Sequence, residues 1–513
     1  MPSFRQLCLL ACAAAIGVRG EPYNTFDGPG FPACEDVAAV HNVTSVDEMV
    51  GIVKDAAANG TPVRASGKGH MWYNTMCQDD PQTVIIRTEY TNGISDLQLE
   101  DGAESGSVVI EAGVTFLQLA EWLHDRNASM GYTLVNWNIS LAGAVAMGAH
   151  RSSIREDSMV AAGVLSLDII NGNGDIVTIE RDESNDDWLA ASTSLGLLGV
   201  IARMKFKVYP DFKVFAKQDT YDEDDILNGD IYGMISPYAT ANFWWWPYLR
   251  KFHHRYYDEI PSTLSDQQGF QSTFSLTELE ADTAIALLNS GKYLETSNEL
   301  AETTFFTLWS APNFHDKETD ATIFFWPVYG WNYDVLIGGL YPNQKPEWEY
   351  GLRGETLELA FPVTLANDML KRVRELFDEE LTERGITMTS TYRSGINIKF
   401  GKPYYDLLGQ VTYNTSDGAD WSKGAIMFDF PHFKPSVGDG RPYNDAFYPR
   451  LATALLNEFP CRPHWTKNTR EVFGNATKNI DPDHLARFKT VREKFDPNNT
   501  FKSIVGEILG LYD

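Results

Sequence analysis

Over residues 36–210, short apolar runs alternate with amphipathic stretches. Val37-Ala-Ala-Val40 reads as a strand, and the spacing from Val46 to Ala58 predicts an amphipathic helix. Thr61-Pro-Val-Arg-Ala-Ser66 is a short strand that runs into Gly67-Lys-Gly-His70. Strands are predicted at Thr83–Arg87 and Ser107–Glu111, the second leading into a helix over Phe116–Arg126. Val164–Ile170 and Ile176–Ile179 flank Asn171-Gly-Asn-Gly174, which is hairpin chemistry. Leu195-Gly-Leu-Leu-Gly-Val-Ile201 leads into an alternating strand, Arg203–Tyr209, closed by Pro210. After Pro210 the texture changes to an aromatic run, Phe243-Trp-Trp-Trp-Pro-Tyr248, which reads as a packed strand or a substrate wall. His253 and His254 follow and read as surface or internally satisfied histidines. Helices are predicted at 276–301 and 364–385, strands at 355–361, 394–400 and 424–430, and a mostly helical tail over 445–513. The pattern is α+β with mixed strands: one domain over 30–210, a second over 211–440, and a C-terminal segment over 441–513.

A chain of 513 residues exceeds one ordinary core, which agrees with two domains. The formal net charge of −28 repels phosphate backbones and anionic lipid, and so excludes nucleic-acid and peripheral membrane roles. Residues 1–20, with Arg5 ahead of the apolar Leu7–Val18, read as a signal peptide cut after Gly20. No other stretch approaches about 18 uncharged apolar residues, so a secreted, soluble protein is expected. Three cysteines then remain, Cys34, Cys77 and Cys461, enough for one disulfide at most. Cys34 with Cys77 is the favoured pair because both fall in the N-terminal domain. There is no CxxC and no HExxH, and no metal site is expected. Sequons at Asn42, Asn59, Asn127, Asn138, Asn414, Asn475 and Asn498 lead to an expectation of N-glycans.

Three small-residue segments carry the chemistry. Glycines after the first strand, at 67 and 69, let backbone N–H groups approach a phosphate. This is not a Walker loop, because Pro62 stands where that pattern needs glycine, and it is not the three-glycine dinucleotide fingerprint. Ala142-Gly-Ala-Val-Ala-Met-Gly-Ala149 has side chains too small to build a core; it serves either close approach of a large group or tight packing. Leu195-Gly-Leu-Leu-Gly199-Val is apolar and glycine-punctuated, which suits a flat ring laid against backbone. Together the three point to a long cofactor with a pyrophosphate and two ring systems.

The order Arg64-x-x-Gly67-x-Gly69-His70, then Glu111-Ala-Gly113-Val-Thr, then 142–150, then Leu195-Gly-x-x-Gly199-Val-Ile resembles the FAD-binding domain of the vanillyl-alcohol oxidase and p-cresol methylhydroxylase (PCMH) superfamily. Arg462-Pro-His464-Trp465-x-Lys467, followed by Val491-Arg-Glu-Lys-Phe-Asp-Pro497 and Phe501, is similar to the sugar-lactone branch: gulonolactone, arabinonolactone and alditol oxidases. The resemblance implies a two-domain PCMH-type FAD-binding fold with an α/β cap over the substrate. It implies FAD joined covalently to His70, with Cys77 matching a cysteine found in several of those enzymes. Ser66, Gly67, Lys68, Gly69, Gly143, Ala144, Met147, Gly148 and Ala149 would cradle pyrophosphate and ring edge. Gly199, Val200 and Ile201 would pair with adenine, His150 would orient backbone near the flavin, and His464 and Lys467 would approach it from the C-terminal return.

The chain departs from that branch at Ile396-Asn-Ile-Lys-Phe400. Asn397 and Lys399 stand where the branch places Glu and Arg, and both fall on one strand face. Asn is no base and Lys cannot grip a diol as a fork, which weighs against a sugar lactone as substrate. The expected function is a secreted FAD-dependent oxidase that takes a hydride from an alcohol-type carbon and passes electrons to O2, giving H2O2. The expected active-site residues are Lys467, His464, Lys399 and Asn397. The alternatives are a tailoring oxidoreductase acting on a larger non-sugar substrate, and a non-catalytic flavoprotein.

Overall fold

The computed structural model describes residues 21–24, 33–67, 69, 71, 73–74, 77, 80, 82–131, 139–264, 295–312, 314–315, 319, 321–337, 354–384, 395–412, 416–433 and 447–512. The signal-peptide stretch, Lys68, His70, Asn138, Asn414 and the first part of the 276–301 helix lie outside the described residues.

The N-terminal part of the chain builds two sheets. Val84–Arg87 lies between Ala39–Asn42 and Val63–Ser66 in a small parallel sheet. The helix Val46–Asn59 joins Ala39–Asn42 to Val63–Ser66, as parallel pairing requires. Its start is fixed by Ser45, whose side chain accepts the Glu48 N–H, and its end by Gly60 at φ +65°. A second, antiparallel sheet runs Ile176–Glu180, Val164–Ile170, Val200–Pro210, Gly106–Glu111, Ile94–Gln98. The Asn171–Gly174 turn closes its hairpin, with the Asn171 side chain accepting from the Asn173 and Asp175 N–H groups. The helix Phe116–His124 begins in a full capping box between Thr115 and Gln118. Cys34 and Cys77 are joined by a disulfide, and Cys461 is a free, buried thiol.

The run 142–149 builds more core than its composition suggests. It forms a short helix, Leu141–Ala146, whose Leu141, Ala142, Ala144 and Val145 are buried in the main apolar cluster. Small side chains here allow close packing on one side while leaving backbone at Gly143 exposed on the other.

The chain leaves the antiparallel sheet at Pro210 and enters an eight-stranded sheet at Lys213. Its order is Val328–Trp331, Lys213–Asp222, Lys251–Ile260, Thr240–Trp246, Ile396–Gly401, Ala425–Phe433, Gly354–Pro362, Arg462–Pro463. The aromatic run is thus one strand of a hairpin, with His253 and His254 on its partner. Both histidines are buried, which corrects the surface reading; burial lowers them to about 3 and about 4, so each is neutral. One face of this sheet, with Phe243, Trp245, Ile398, Phe400, Phe428 and Phe430, packs on helices Ala366–Arg384 and Phe447–Glu458. The last strand joins this sheet, and then helix Pro482–Phe495 returns to helix Asp186–Ala191 through Arg487–Asp186 and Lys494–Asp187 pairs. No helix among the described residues is long and apolar enough to cross a membrane.

Helix Glu295–Ser310, which ends nine residues beyond the predicted helix, docks on the Thr240–Ile260 hairpin through Phe305 and Trp309 against Trp244 and Trp246. Gln218 donates to the Trp309 carbonyl (2.8 Å), as does Arg255 (3.4 Å), a cation at a helix C-terminus. At the middle of the helix, Glu302 accepts the Tyr248 and Leu249 N–H groups. Burial pushes Glu302 up to about 8 against the opposing pull of those two N–H groups and of Arg374. Its folded value lies above its unfolded one of 4.5, so its contribution is complete below about pH 4.5 and is lost as pH rises through about 8. That contribution is on the order of a few kcal/mol. Thermal melts of the wild type should therefore decline between about pH 5 and 9 more steeply than those of Glu302→Gln; parallel curves for the two proteins would remove this account of the docking.

Candidate active site

The other face of the eight-stranded sheet is polar at its centre. Trp244 pairs with Asn397, Asn397 with Asp429, and Asp429 with Glu358. The four form one row across four strands, and side chains of a row point to the same side. Lys399 lies two residues beyond Asn397, on the same face. The Arg462–Pro463 strand places His464 beside the row, its N–H donating to the Glu358 carbonyl (3.0 Å). Asn468 fixes the turn that follows, donating to the Glu358 carbonyl (2.9 Å) and the His464 carbonyl (2.8 Å). That turn brings Lys467 back over the row.

The Lys467 ammonium donates to Glu358 Oε2 (2.6 Å) and Asp429 Oδ2 (2.8 Å). Lys399 donates to the same two oxygens at 3.4 and 2.8 Å. Thr356 donates to Asp429 Oδ1 (2.7 Å). His150 arrives from the N-terminal domain: its Nδ1 faces the Arg151 carbonyl (3.0 Å) and its Nε2 lies 2.6 Å from Glu358 Oε1. A carbonyl only accepts, so Nδ1 carries a proton and one further proton is shared between Nε2 and Oε1. The segment after His150 is strapped to the cap, the Ser153 N–H donating to the Phe400 carbonyl and the Lys402 N–H to the Ser153 carbonyl, both at 2.7 Å.

Side-chain exposure orders these groups in depth: Glu358 0% and His150 1%, then Lys399 9%, Asp429 13% and Lys467 19%. Asp429 and the lysines are therefore the more accessible members, with Glu358 and His150 behind them. Burial alone would raise Glu358, but Lys399, Lys467 and His150 outweigh it and hold the carboxyl well below its ordinary value. Asp429 is likewise lowered, burial being overcome by Lys399 and Lys467. Lys467 is raised despite its burial by the two carboxylates.

Of the residues expected from sequence, Lys467, Lys399 and His464 come together. Asn397 sits at the edge of the group, accepting from Asn242 at 3.5 Å. Glu358 and Asp429 were missed, and His150 was given too small a part. The overlooked signal is a single carboxylate set among apolar neighbours, Leu357-Glu-Leu359 and Phe428-Asp-Phe430. In a strand such a residue points away from the face that its neighbours bury.

The residues of the N-terminal domain fit a phosphate-bearing cofactor that comes close to backbone. The two glycine segments abut: a Cβ on Gly67 would fall 2.3 Å from Ser140 Oγ, and one on Gly143 3.0 Å from the same atom. Gly69 and Gly148 take positive φ, +73° and +66°, which bulkier residues rarely adopt. Ser66 accepts the Tyr23 hydroxyl (2.7 Å), and Ala144, Met147 and Ala149 line the same segment with little or no exposure. Arg64 ties the first segment to the third, donating to the Gly196 and Leu195 carbonyls, and to Phe501 in the C-terminal return. Gly199 is pressed on the Ile170 carbonyl, and Val200 and Ile201 pair with Ile170 and Ile169. His150, Glu358 and His464 offer three potential metal ligands within 4.8 Å, but two lysine ammonium groups on the same carboxylate oppose a divalent cation there.

Residues 37–180 match the FAD binding domain family. The fold is the two-domain α+β FAD-binding fold of PCMH type: a solvent-stable cholesterol oxidase has a similar structure, with a TM-score of 0.72 at 16% identity, covering 96% of this chain and 98% of that one. A chitooligosaccharide oxidase is also similar, with a TM-score of 0.61 at 14% identity, covering 95% of this chain and 93% of that one. Within that class the chain resembles the FAD-linked sugar-lactone oxidases. It is 29% identical over 212 residues to the D-arabinono-1,4-lactone oxidase of Eremothecium gossypii, covering 40% of this chain and 38% of that one. It is 23% identical over 510 residues to L-gulonolactone oxidase 5 of Arabidopsis thaliana, covering 91% and 80%. The match thus spans well under half the length of the arabinonolactone oxidase.

Removing Glu358 would leave two ammonium groups sharing one carboxylate in a buried site. Glu358→Ala should cost about 3–5 kcal/mol in urea unfolding. A loss below about 1 kcal/mol would mean that the cluster is hydrated and not structural.

Proposed function

We propose that the protein is a secreted FAD-dependent oxidase that removes a hydride from an alcohol-type carbon, with O2 as electron acceptor and FAD tethered through His70. The observation that carries this reading is the 2.6 Å contact between His150 and Glu358. It sets a cluster of two lysines and two carboxylates against the small-residue segment of the FAD-binding domain. FAD, when bound, supplies the acceptor for the substrate hydride and the place where O2 is reduced to H2O2. Backbone of Ser66, Gly67, Gly69, Gly143 and Gly148 would hold its pyrophosphate and ring edge.

The chain's own residues then act on the substrate hydroxyl. Lys467 donates a hydrogen bond to its oxygen and Asp429 accepts its proton on a carboxylate oxygen. A weakly basic carboxylate suffices, because a hydroxyl whose carbon is losing a hydride becomes strongly acidic. Lys399 and Thr356 orient Asp429, and Glu358 holds both lysines in place. Asn397 lacks the acid of the sugar-lactone branch, yet Asp429 and Glu358, the next two members of its row, supply carboxylates, which supports an enzyme over a non-catalytic flavoprotein.

A second reading, a larger non-sugar substrate, is favoured by what lies on the far side of Asn397. The row continues to Trp244, whose ring lies 6.1 Å from that of Trp309. An amide and an indole wall suit a neutral, flat group better than a polyol. Secretion draws support from the disulfide and from exposed sequon asparagines at 42, 59, 127, 475 and 498.

Peroxide release with polyols, aldonolactones and aryl alcohols tests the reaction and separates the substrate readings. Asp429→Asn and Lys467→Met should each lower kcat about 10²–10⁴-fold with flavin content unchanged; losses under about tenfold in both would remove these residues from the chemistry. Yellow colour that stays with acid-precipitated protein, and leaves it in His70→Ala, is expected for the tether. Colour in the wild-type supernatant would discard the tether and keep the cofactor.

A further inference from the structure

We infer that His464 serves the site as a fixed hydrogen-bond donor through Nε2–H, with Thr466 as the positioning residue that sets its tautomer. The inference rests on reading this cluster as the redox site. His464 Nδ1 lies 3.2 Å from the Thr466 backbone N–H and 3.1 Å from Thr466 Oγ1. A backbone N–H only donates, so Nδ1 is bare, and the proton of the neutral ring sits on Nε2. The ring has no second proton: burial lowers it most, and Lys467, His150 and Lys399 add to that against the opposing pull of Glu358, leaving it well below its ordinary value. The backbone on either side is pinned by the His464 N–H to Glu358 bond and by Asn468.

Nε2–H makes no hydrogen bond among the described residues, although the ring lies 5.3 Å, centroid to centroid, from His150 and beside the charged cluster. That donor faces the open side of the site and is available to an acceptor on what the site binds. That acceptor is an oxygen lone pair, either the reacting oxygen of the substrate or a carbonyl of the flavin ring. The same tautomer bars His464 from two other roles. With Nδ1 occupied it has no lone pair with which to take the substrate proton, and a protonated Nε2 cannot ligate a metal.

Nitrogen NMR of histidine-labelled holoenzyme reads the tautomer directly. Bare Nδ1 and protonated Nε2 from about pH 6 to 9 are expected, with mixed tautomers in Thr466→Pro, which deletes the N–H. An Nδ1–H tautomer in the wild type, or a second proton taken up in that range, would overturn the inference whether or not a substrate has been found. Kinetics give an independent check. His464→Gln keeps an N–H donor and should retain kcat within about tenfold with the pH profile unchanged, whereas His464→Ala should lose about 10²–10³-fold. A glutamine variant as inactive as the alanine variant, with its acidic limb gone, would make His464 the proton acceptor instead. A shifted flavin absorption band in His464→Ala without substrate places the acceptor on the flavin; an unshifted band with raised KM places it on the substrate. Absence of bound flavin in the wild type would defeat the oxidase reading alone, because the NMR result stands by itself.

Discussion

A carboxylate shut away from water must be met by cations, and Glu358 is met from three separate parts of the chain. Lys399 comes from the middle of the cap sheet, Lys467 from the turn after its last strand, and His150 from the FAD-binding domain. Each ion taken out of water carries a penalty of several kcal/mol that only close, multiple partnership offsets. The geometry is therefore demanding. Moving the domains apart by a few ångströms would leave the two lysines in place but take His150 from the carboxylate, so this one contact ties the cap to the small-residue segment. The proposed substrate chemistry and the contact between the domains draw on the same group of charges.

Much of the N-terminal domain was legible in the sequence because its signals are local. The apolar spacing over 46–58 and 116–126, the Asn171–Gly174 turn and the alternation after Arg203 each announce an element within a few residues, and the structure places those elements within about three residues of the expected bounds. The hairpin Thr240–Ile260 was harder. Its strands are buried on both faces, so Phe243-Trp-Trp-Trp246 shows no alternation, and the paired histidines look polar only until burial neutralises them.

The site was half legible, for a topological reason. Lys467 and His464 belong to a compact motif that can be matched within one stretch. The row Trp244, Asn397, Asp429, Glu358 is gathered from strands whose order in the sheet differs from their order in the chain. Neither that order nor the register is written in any one segment, so a missing acid at 397 looked like a missing function. Once the strands are laid side by side, the acids stand one and two places along.

Arg64 sits in the strand Val63–Ser66 and donates to the Phe501 carbonyl, 437 residues later. The nearby Val63 N–H also bonds to the Thr500 carbonyl, and Cys77 accepts from Ile504. Residues 63–77 are thus tied to residues 500–504, more than 400 positions along the chain. During translation these contacts wait until residues 500–504 have left the ribosome, and contacts of such sequence separation form slowly. The footing of the first glycine segment therefore depends on those distant residues, and cutting the chain before residue 500 would remove more than a tail.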